Sequence, residues 1–104
     1  MAAIPTEKDF CQQLNTKYLA NVPESQPVEL ELVEVKSYVS EPGEQEGMER
    51  FSIYFHGSAE NFLPQDTYRV THDQMGDLDL FLVPIAGDEL GFRYETVINY
   101  FIQQ

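Results

Sequence analysis

The chain has 104 residues, of which 42% are hydrophobic and 12% aromatic, and its 18 acidic residues against six basic ones give a formal net charge of −12. A chain of this length forms one domain that buries roughly two-thirds of its unfolded surface, and its apolar content is too high for a disordered segment, so we expect a single domain over residues 1–104. The basic residues are scattered singly, which argues against nucleic acid and anionic membrane surfaces as partners.

The N-terminal segment predicts a short helix over about residues 6–15. Thr6 is placed as an N-cap, and Phe10 and Leu14 form one apolar stripe at helical spacing. Cys11 lies beside Phe10 and is interpreted as a small buried core residue. A lone cysteine cannot form an intrachain disulfide, and neither a targeting signal nor an apolar run of membrane length is found, so the expected location is cytoplasmic.

The next segments predict two strands, over about residues 17–22 and 28–39. Val28, Leu30 and Leu32 alternate with glutamates, and the apolar parity then switches at Val33. Because a switch of parity would turn the apolar side outward, we expect a β-bulge near Leu32 and Val33. Residues 40–48, rich in Glu and Gly, are interpreted as a solvated acidic loop.

Three alternating segments follow and predict a meander of successive strands over about residues 49–57, 66–74 and 78–86. Gly76 can adopt a positive φ, which favours a tight antiparallel hairpin between the last two of these strands. Pro84 cannot donate to a ladder and marks a strand end, an edge or a bulge. If strands 49–57 and 66–74 pair, His56 and His72 lie roughly 15 Å apart.

The last predicted strand, about residues 92–102, is apolar on both sides. Such a strand is either covered on both faces or lies at a subunit contact, and we favour coverage by the N-terminal helix over a homo-oligomer interface. The predicted fold is therefore α+β: a short helix packed on a curled, mainly antiparallel sheet of about six strands, with closure into a small barrel as one form of it.

No catalytic, cofactor or metal constellation is recognised in the sequence. His56 and His72 are interpreted as surface or packed histidines, because neither has a Cys or His partner at zinc-ligand spacing. Asp73, Asp77 and Asp79 surround a turn but lack the donor spacing of a calcium loop. We therefore expect a protein that is not an enzyme and that has no cofactor.

The segment around Pro64 is the most distinctive local feature. Pro64 restricts Leu63 to extended geometry, which would hold Phe62 or Leu63 against the sheet as a plug. The alternatives are a rigid strand entry and a recognition loop. The candidate ligand or partner contacts are aromatic residues of this segment and of the strands beside it, namely Phe62, Tyr68, Phe92, Tyr94 and Tyr100.

Residues 51–57, 63–72, 80–85 and 94–99 resemble the patterns FSLLFxGP, LPQGTYxLxH, LFLVPV and YEAVFN of a small bacterial family of uncharacterised single-domain proteins. The resemblance extends upstream to residues 28–35 and is specific in order and spacing. Ser58, Asp66 and Tyr100 depart from the family's Pro, its Gly and a frequent basic residue. The resemblance implies no activity, cofactor or catalytic residue, and similar proteins accompany phage-tail-like fibre proteins, which implies an accessory or assembly role.

Three hypotheses for function follow. The first is a non-enzymatic interaction or assembly module that binds a protein partner or itself through the C-terminal strand. The second is a domain that binds a small apolar or aromatic ligand in the mouth of the curled sheet, lined by Phe62, Tyr68 and Phe92. The third is a hydrolase that uses His56 or His72 with a nearby carboxylate.

Overall fold

The structure, a computed structural model, describes residues 7–37 and 48–101, with residues 48, 49 and 99–101 described by their backbone alone. The described chain forms one short helix and six strands. The helix is α1 (Glu7–Cys11), and the strands are β1 (Lys17–Asn21), β2 (Val28–Ser37), β3 (Met48–Gly57), β4 (Asp66–His72), β5 (Gly76–Asp88) and β6 (Gly91–Phe101).

The six strands form a closed antiparallel ring in the order β1-β2-β3-β6-β5-β4. Two pairings join strands that are distant in sequence. β3 pairs with β6 from Met48 opposite Phe101 to Gly57 opposite Phe92, and β4 closes the ring on β1. Each strand therefore has a hydrogen-bonded neighbour on both sides, and residues 58–65 cross one end of the ring.

The helix is shorter than predicted, and the fold is mainly β rather than α+β. Within the described part of the predicted range 6–15, α1 covers only Glu7–Cys11. Asn15 adopts a left-handed conformation with φ of 63°, and its backbone N–H donates to the carbonyl oxygen of Leu32 at 2.7 Å. The chain has already joined β2 at this point, which leaves no room for further helical turns.

Two β-bulges bend the ring. The register of β2 and β3 shifts between Leu32 and Glu34, as the change of apolar parity predicts. A second shift, between Pro84 and Ala86, lies where β5 pairs with β6. Pro84 is thus tolerated at an irregular position, where no regular ladder hydrogen bond is required from it.

The β4–β5 hairpin is confirmed, but the predicted pairing of β3 with β4 is wrong. His72 stands opposite Gly76, whose φ is 74°. β3 pairs with β2 and β6 instead, because residues 58–65 cross the end of the ring rather than turning back in a hairpin. The distance predicted between the two histidines rested on the wrong register and has no basis in this fold.

The ring interior is filled by apolar side chains. Phe10 enters it from α1, with its ring centroid 5.9 Å from that of Phe51. Cys11 was expected in the core but is exposed, because successive helical residues point in different directions and Phe10 takes the inward one. The core comprises Phe10, Tyr18, Ala20, Val28, Leu30, Leu32, Phe51, Ile53, Phe55, Leu63, Tyr68, Val70, Leu80, Leu82 and Tyr94.

β6 lies between β3 and β5, with its inward residues Tyr94 and Thr96 buried. The prediction that the N-terminal helix covers its second face is wrong. The helix contacts β2 and Phe51 at one end of the ring, and Val97 on the outward face of β6 remains 51% exposed. Most of the predicted acidic loop 40–48 lies outside the described residues. Among residues 7–37 and 48–101, no helix is long and apolar enough to cross a membrane.

Candidate functional site

Four of the five predicted contact residues come together at one end of the ring, which we call the loop end. It is formed by residues 22–27, 58–66 and 88–91. The aromatic rings of Phe62 and Phe92 meet edge to face with centroids 4.8 Å apart, and the centroids of Phe92 and Tyr94 are 6.5 Å apart. Tyr100 lies toward the opposite end of β6, where its backbone stands opposite Glu49.

Tyr68 and Tyr94 fasten the segment that closes the loop end. The Tyr94 hydroxyl accepts a hydrogen bond from the backbone N–H of Leu63 at 2.9 Å, and the Tyr68 hydroxyl donates to the carbonyl oxygen of Pro64 at 2.6 Å. Burial raises the pKa of both phenols, so both remain protonated. Their hydroxyl groups are therefore committed to holding the segment in place.

Leu63 is the plug that the sequence predicts, and Phe62 is not. The Leu63 side chain is buried among the core residues, whereas Phe62 remains 50% exposed. Because Leu63, Tyr68 and Tyr94 all belong to the core, the mouth of the ring is filled at this end. A small ligand held inside the mouth by Phe62, Tyr68 and Phe92 finds no support in this packing.

The β5–β6 turn projects from the loop end. The Asp88 carboxylate oxygen Oδ1 accepts hydrogen bonds from the backbone N–H groups of Leu90 at 2.8 Å and Gly91 at 3.2 Å. Gly91 has a φ of 144°, and a Cβ at this position would lie 2.0 Å from the carbonyl oxygen of Gly57. This turn directs Leu90 outward, with 80% of its side chain exposed.

An open depression of about 270 Å³ lies beside this turn. It is lined by His56 of β3, Arg93 of β6, the turn residues Asp88 and Leu90, and residues 86, 87 and 91. The guanidinium of Arg93 is bound to the Glu34 carboxylate and lies over the Tyr54 ring, 4.6 Å from its centroid. The positive charge nearest the depression is therefore already neutralised from within the chain.

Exposed apolar side chains are concentrated along the β5–β6 hairpin. Of the large hydrophobic residues exposed in the described chain, Leu19 on β1 is the one member remote from it, and it is 41% exposed. We call the remaining set the hairpin surface: Phe81, Ile85, Leu90 and Val97 on the hairpin itself, and Phe62, which packs against Phe92 of β6.

Sequence reasoning missed most of the hairpin surface. Val97 could be found, since its parity is opposite to that of the inward residues of β6. Leu90 also gave a signal, because an apolar residue between Glu89 and Gly91 in a turn has nothing local to cover it. Phe81 also gave a signal, since it shares the parity of the charged residue Asp79, whereas Ile85 could not be assigned because it lies in the irregular stretch beside Pro84.

The loop end carries unbalanced negative charge. Its three segments contain five exposed carboxylates, Glu24, Glu60, Asp66, Asp88 and Glu89, and no Lys or Arg. Among the residues that the structure describes, none of these five takes part in an ion pair, whereas other acidic residues do: Glu29 with Lys17, Glu34 with Arg93, and Asp77 and Asp79 with Arg69.

His72 is packed at the opposite end of the ring. Its Nδ1 accepts hydrogen bonds from the backbone N–H groups of Gln74 and Met75 at 3.0 and 3.2 Å, which leaves Nε2 to donate to Thr16 Oγ1 at 2.8 Å. The centroid of its imidazole lies 4.2 Å from that of the Tyr18 phenol. Burial lowers the pKa of His72, and the nearby charge of Asp73 opposes this effect. Nδ1 thus holds the β4–β5 turn, and Nε2 ties His72 to the residue before β1.

His56 differs from His72, since it is exposed and borders the depression. Within residues 7–37 and 48–101, no cluster of three or more His, Cys, Asp or Glu side chains is arranged to hold a metal ion.

A family model described as a domain of unknown function (DUF6916) matches residues 5–98, and the chain belongs to this family. The match is consistent with the resemblance to an uncharacterised single-domain family. No curated protein and no solved structure matches the chain.

Proposed function

We propose that this family member is a non-enzymatic protein-interaction module that docks through its β5–β6 hairpin. One observation carries the proposal: exposed apolar side chains gather on this hairpin and on Phe62 beside it, while the remaining exposed large hydrophobic residue, Leu19, is solitary. Isolated exposed hydrophobic residues are ordinary, but a concentration of them along one element is typical of a surface that a partner covers.

The hairpin is also suited to present these side chains rigidly. β5 and β6 are the longest strands of the ring, and the side-chain hydroxyl of Thr96 donates to the carbonyl oxygen of Phe81 at 2.9 Å, which ties the two strands together. On the outer face of β6, the Glu95 carboxylate accepts hydrogen bonds from Ser52 at 3.1 Å and Tyr54 at 3.0 Å. A rigid surface loses little conformational entropy on binding.

The proposed docking surface includes the C-terminal strand β6, which the sequence predicts as the contact, and also the preceding strand β5. An assembly role beside phage-tail-like proteins is the form that the family resemblance implies, and the location expected from the sequence is the cytoplasm. We propose no catalytic role for His72, because both of its imidazole nitrogens form hydrogen bonds within the fold.

Purification of the chain from the cells that produce it, followed by size-exclusion chromatography with light scattering, tests the proposal. The wild type and the control Leu19→Ser should elute with the same stoichiometric associate, and Leu90→Ser combined with Val97→Ser should lose it. A strict monomer that co-purifies with nothing at high concentration would contradict the proposal, as would an equal loss in the Leu19→Ser control.

Small-ligand binding remains the second candidate, at a different place from the one predicted. The depression of about 270 Å³ beside the hairpin is the observation that favours it, since the mouth of the ring is filled. A thermal-shift screen of small ligands tests this candidate, with Leu90→Ser as the variant that should abolish any stabilisation. Stabilisation that persists in that variant would place the ligand elsewhere.

A further inference from the structure

We infer that the partner at the loop end is a protein segment that is both basic and apolar, with lysine or arginine side chains flanking a hydrophobic anchor. This inference rests on the proposed function and specifies its partner. It concerns the end-on surface formed by Phe62 and Leu90 together with the five carboxylates of the loop end.

The apolar part of the argument comes from two exposed side chains with fixed supports. Leu90 is held outward by the Asp88 turn, and Phe62 is held by its edge-to-face contact with Phe92. The depression beside Leu90 adds concave surface of a size that one side chain of a partner can enter. An apolar anchor in a concave site surrounded by polar groups is the usual composition of a protein interface.

The charged part of the argument separates a basic partner from a second copy of this chain. Opposing the loop ends of two copies would bring their carboxylates together without a basic residue in these segments, and each copy carries a net charge of −12. Like charges facing each other across an interface cost free energy, whereas lysine or arginine at the same positions would recover it. Charge complementarity therefore selects a basic occupant.

Ion pairing is more complete on the strand faces than at the loop end, although Glu31 on β2 has no ion pair in the described part of the chain. On the outer faces of the strands, Glu29, Asp77 and Asp79 already have cations beside them. The loop-end carboxylates have none in the described part of the chain, and Arg93 at the edge of the depression is bound to Glu34. At the loop end, carboxylates without an ion pair in the described chain and uncovered apolar side chains therefore occur together.

The experiment uses a fluorescein-labelled peptide of lysine, leucine and serine as the probe, titrated with the intact chain at low salt and followed by fluorescence anisotropy. Two matched peptides serve as comparisons, one with the leucines replaced by serine and one with the lysines replaced by glutamate. We expect the lysine and leucine peptide to bind at least about tenfold more tightly than either, because it alone supplies both kinds of contact.

Two double variants with the same change in net charge locate the site. Glu60→Gln with Glu89→Gln removes two charges from the loop end, and Gln12→Lys with Gln74→Lys adds two positive charges at the opposite end. The first pair should weaken binding of the lysine and leucine peptide by at least about fivefold, and the second by less than about twofold. All four positions are exposed, so both variants should retain the wild-type circular dichroism spectrum.

Three results would overturn the inference. They are the absence of binding by the lysine and leucine peptide, equal binding by the peptide without leucine, and equal weakening by the two double variants. None of these results affects the purification test of the hairpin surface, so a failure of this inference can be distinguished from a failure of the proposed function.

Discussion

The loop end and the outer faces of β1, β2 and β4 differ in how their exposed groups are matched. On those strands, charged side chains are paired across neighbouring strands, as in Lys17 with Glu29 and Arg69 with Asp79. The connecting segments of the loop end carry carboxylates without ion pairs in the described chain, together with the uncovered side chains of Phe62 and Leu90. Ion pairing within the described chain is thus more extensive on these strand faces than at the loop end.

This difference indicates where binding of a partner would gain the most free energy. Covering the strand faces would desolvate charges that are already compensated, which costs more than it returns. Covering the loop end would bury apolar surface and place cations beside uncompensated carboxylates. The first two predictions below concern the packing of the loop end, and the later ones concern the opposite end and the strand faces with which it is compared.

The largest expected effect is that of Gly91→Ala, which would break the projecting turn. A Cβ at Gly91 would lie 2.0 Å from the Gly57 carbonyl oxygen, and its φ of 144° is unfavourable for any other residue. We expect a loss of about 4 kcal/mol in the free energy of unfolding, measured by urea denaturation. Gly76→Ala is the control, since its Cβ would meet nothing within 4 Å and should cost only about 1 kcal/mol. Equal losses would show that Gly91 has no special packing role.

The next effect separates the plug from its exposed neighbour. Leu63→Ala should lower the free energy of unfolding by about 3 kcal/mol, because it removes a buried side chain and leaves a cavity. Phe62→Ala should cost about 1 kcal/mol, mainly through loss of the contact with Phe92. If Phe62→Ala proved the more damaging change, Phe62 would be a structural residue and would leave the docking surface.

A smaller effect concerns pH and the end opposite the loop end. Burial lowers the pKa of His72 in the folded chain, so the unfolded chain takes up the proton first as the pH falls below about 6.5. The stability contributed by neutral His72 is complete above that pH. As the pH falls from there toward the lowered pKa of His72 in the folded chain, this stability is lost at no more than about 1.4 kcal/mol per pH unit.

Urea denaturation at about pH 7.5 and about pH 5 measures this effect against His72→Asn, whose amide oxygen can still accept from the turn but does not titrate. The stability difference between wild type and variant should narrow at the lower pH. A difference that stays constant would mean that protonating His72 leaves the turn intact.

The smallest effect is expected on the strand faces. Arg69→Met removes the cation beside Asp77 and Asp79, all of them exposed, and exposed ion pairs contribute little to stability. Thermal unfolding should change far less than in Leu63→Ala, and the change should shrink further in high salt. A large loss that resists salt would show that these pairs are structurally important, and the contrast with the loop end would weaken.

The sequence predicts local structure well where the signal is local. Alternation marks the strands, the parity switch at Leu32 marks the bulge, and Gly76 marks the hairpin. Ring closure could not be predicted, because pairing β3 with β6 and β1 with β4 depends on contacts far apart in sequence. The error with β3 and β4 arose from assuming that successive strands pair.

The site was predictable in location more than in composition. The rigid Pro64 segment and the aromatic last strand pointed to the end where Phe62 and Phe92 meet. The alternation of apolar residues could not show that the Tyr68 hydroxyl bonds to Pro64 and the Tyr94 hydroxyl to Leu63. These hydrogen bonds form only where residues 58–65 cross the end of the ring. The outward direction of Leu90 likewise depends on a hydrogen bond of the folded chain, the one that its backbone N–H donates to Asp88.

Site-specific photo-crosslinking tests the central claim most directly. A photoreactive benzoylphenylalanine is placed at Leu90 in the loop end and, as the matched control, at Leu19 on β1, both being exposed leucines. In the cells that produce the chain, position 90 should give a discrete adduct of constant mass and position 19 should give none. Equal adducts from both positions, or none from position 90, would contradict the assignment of the hairpin as the docking surface.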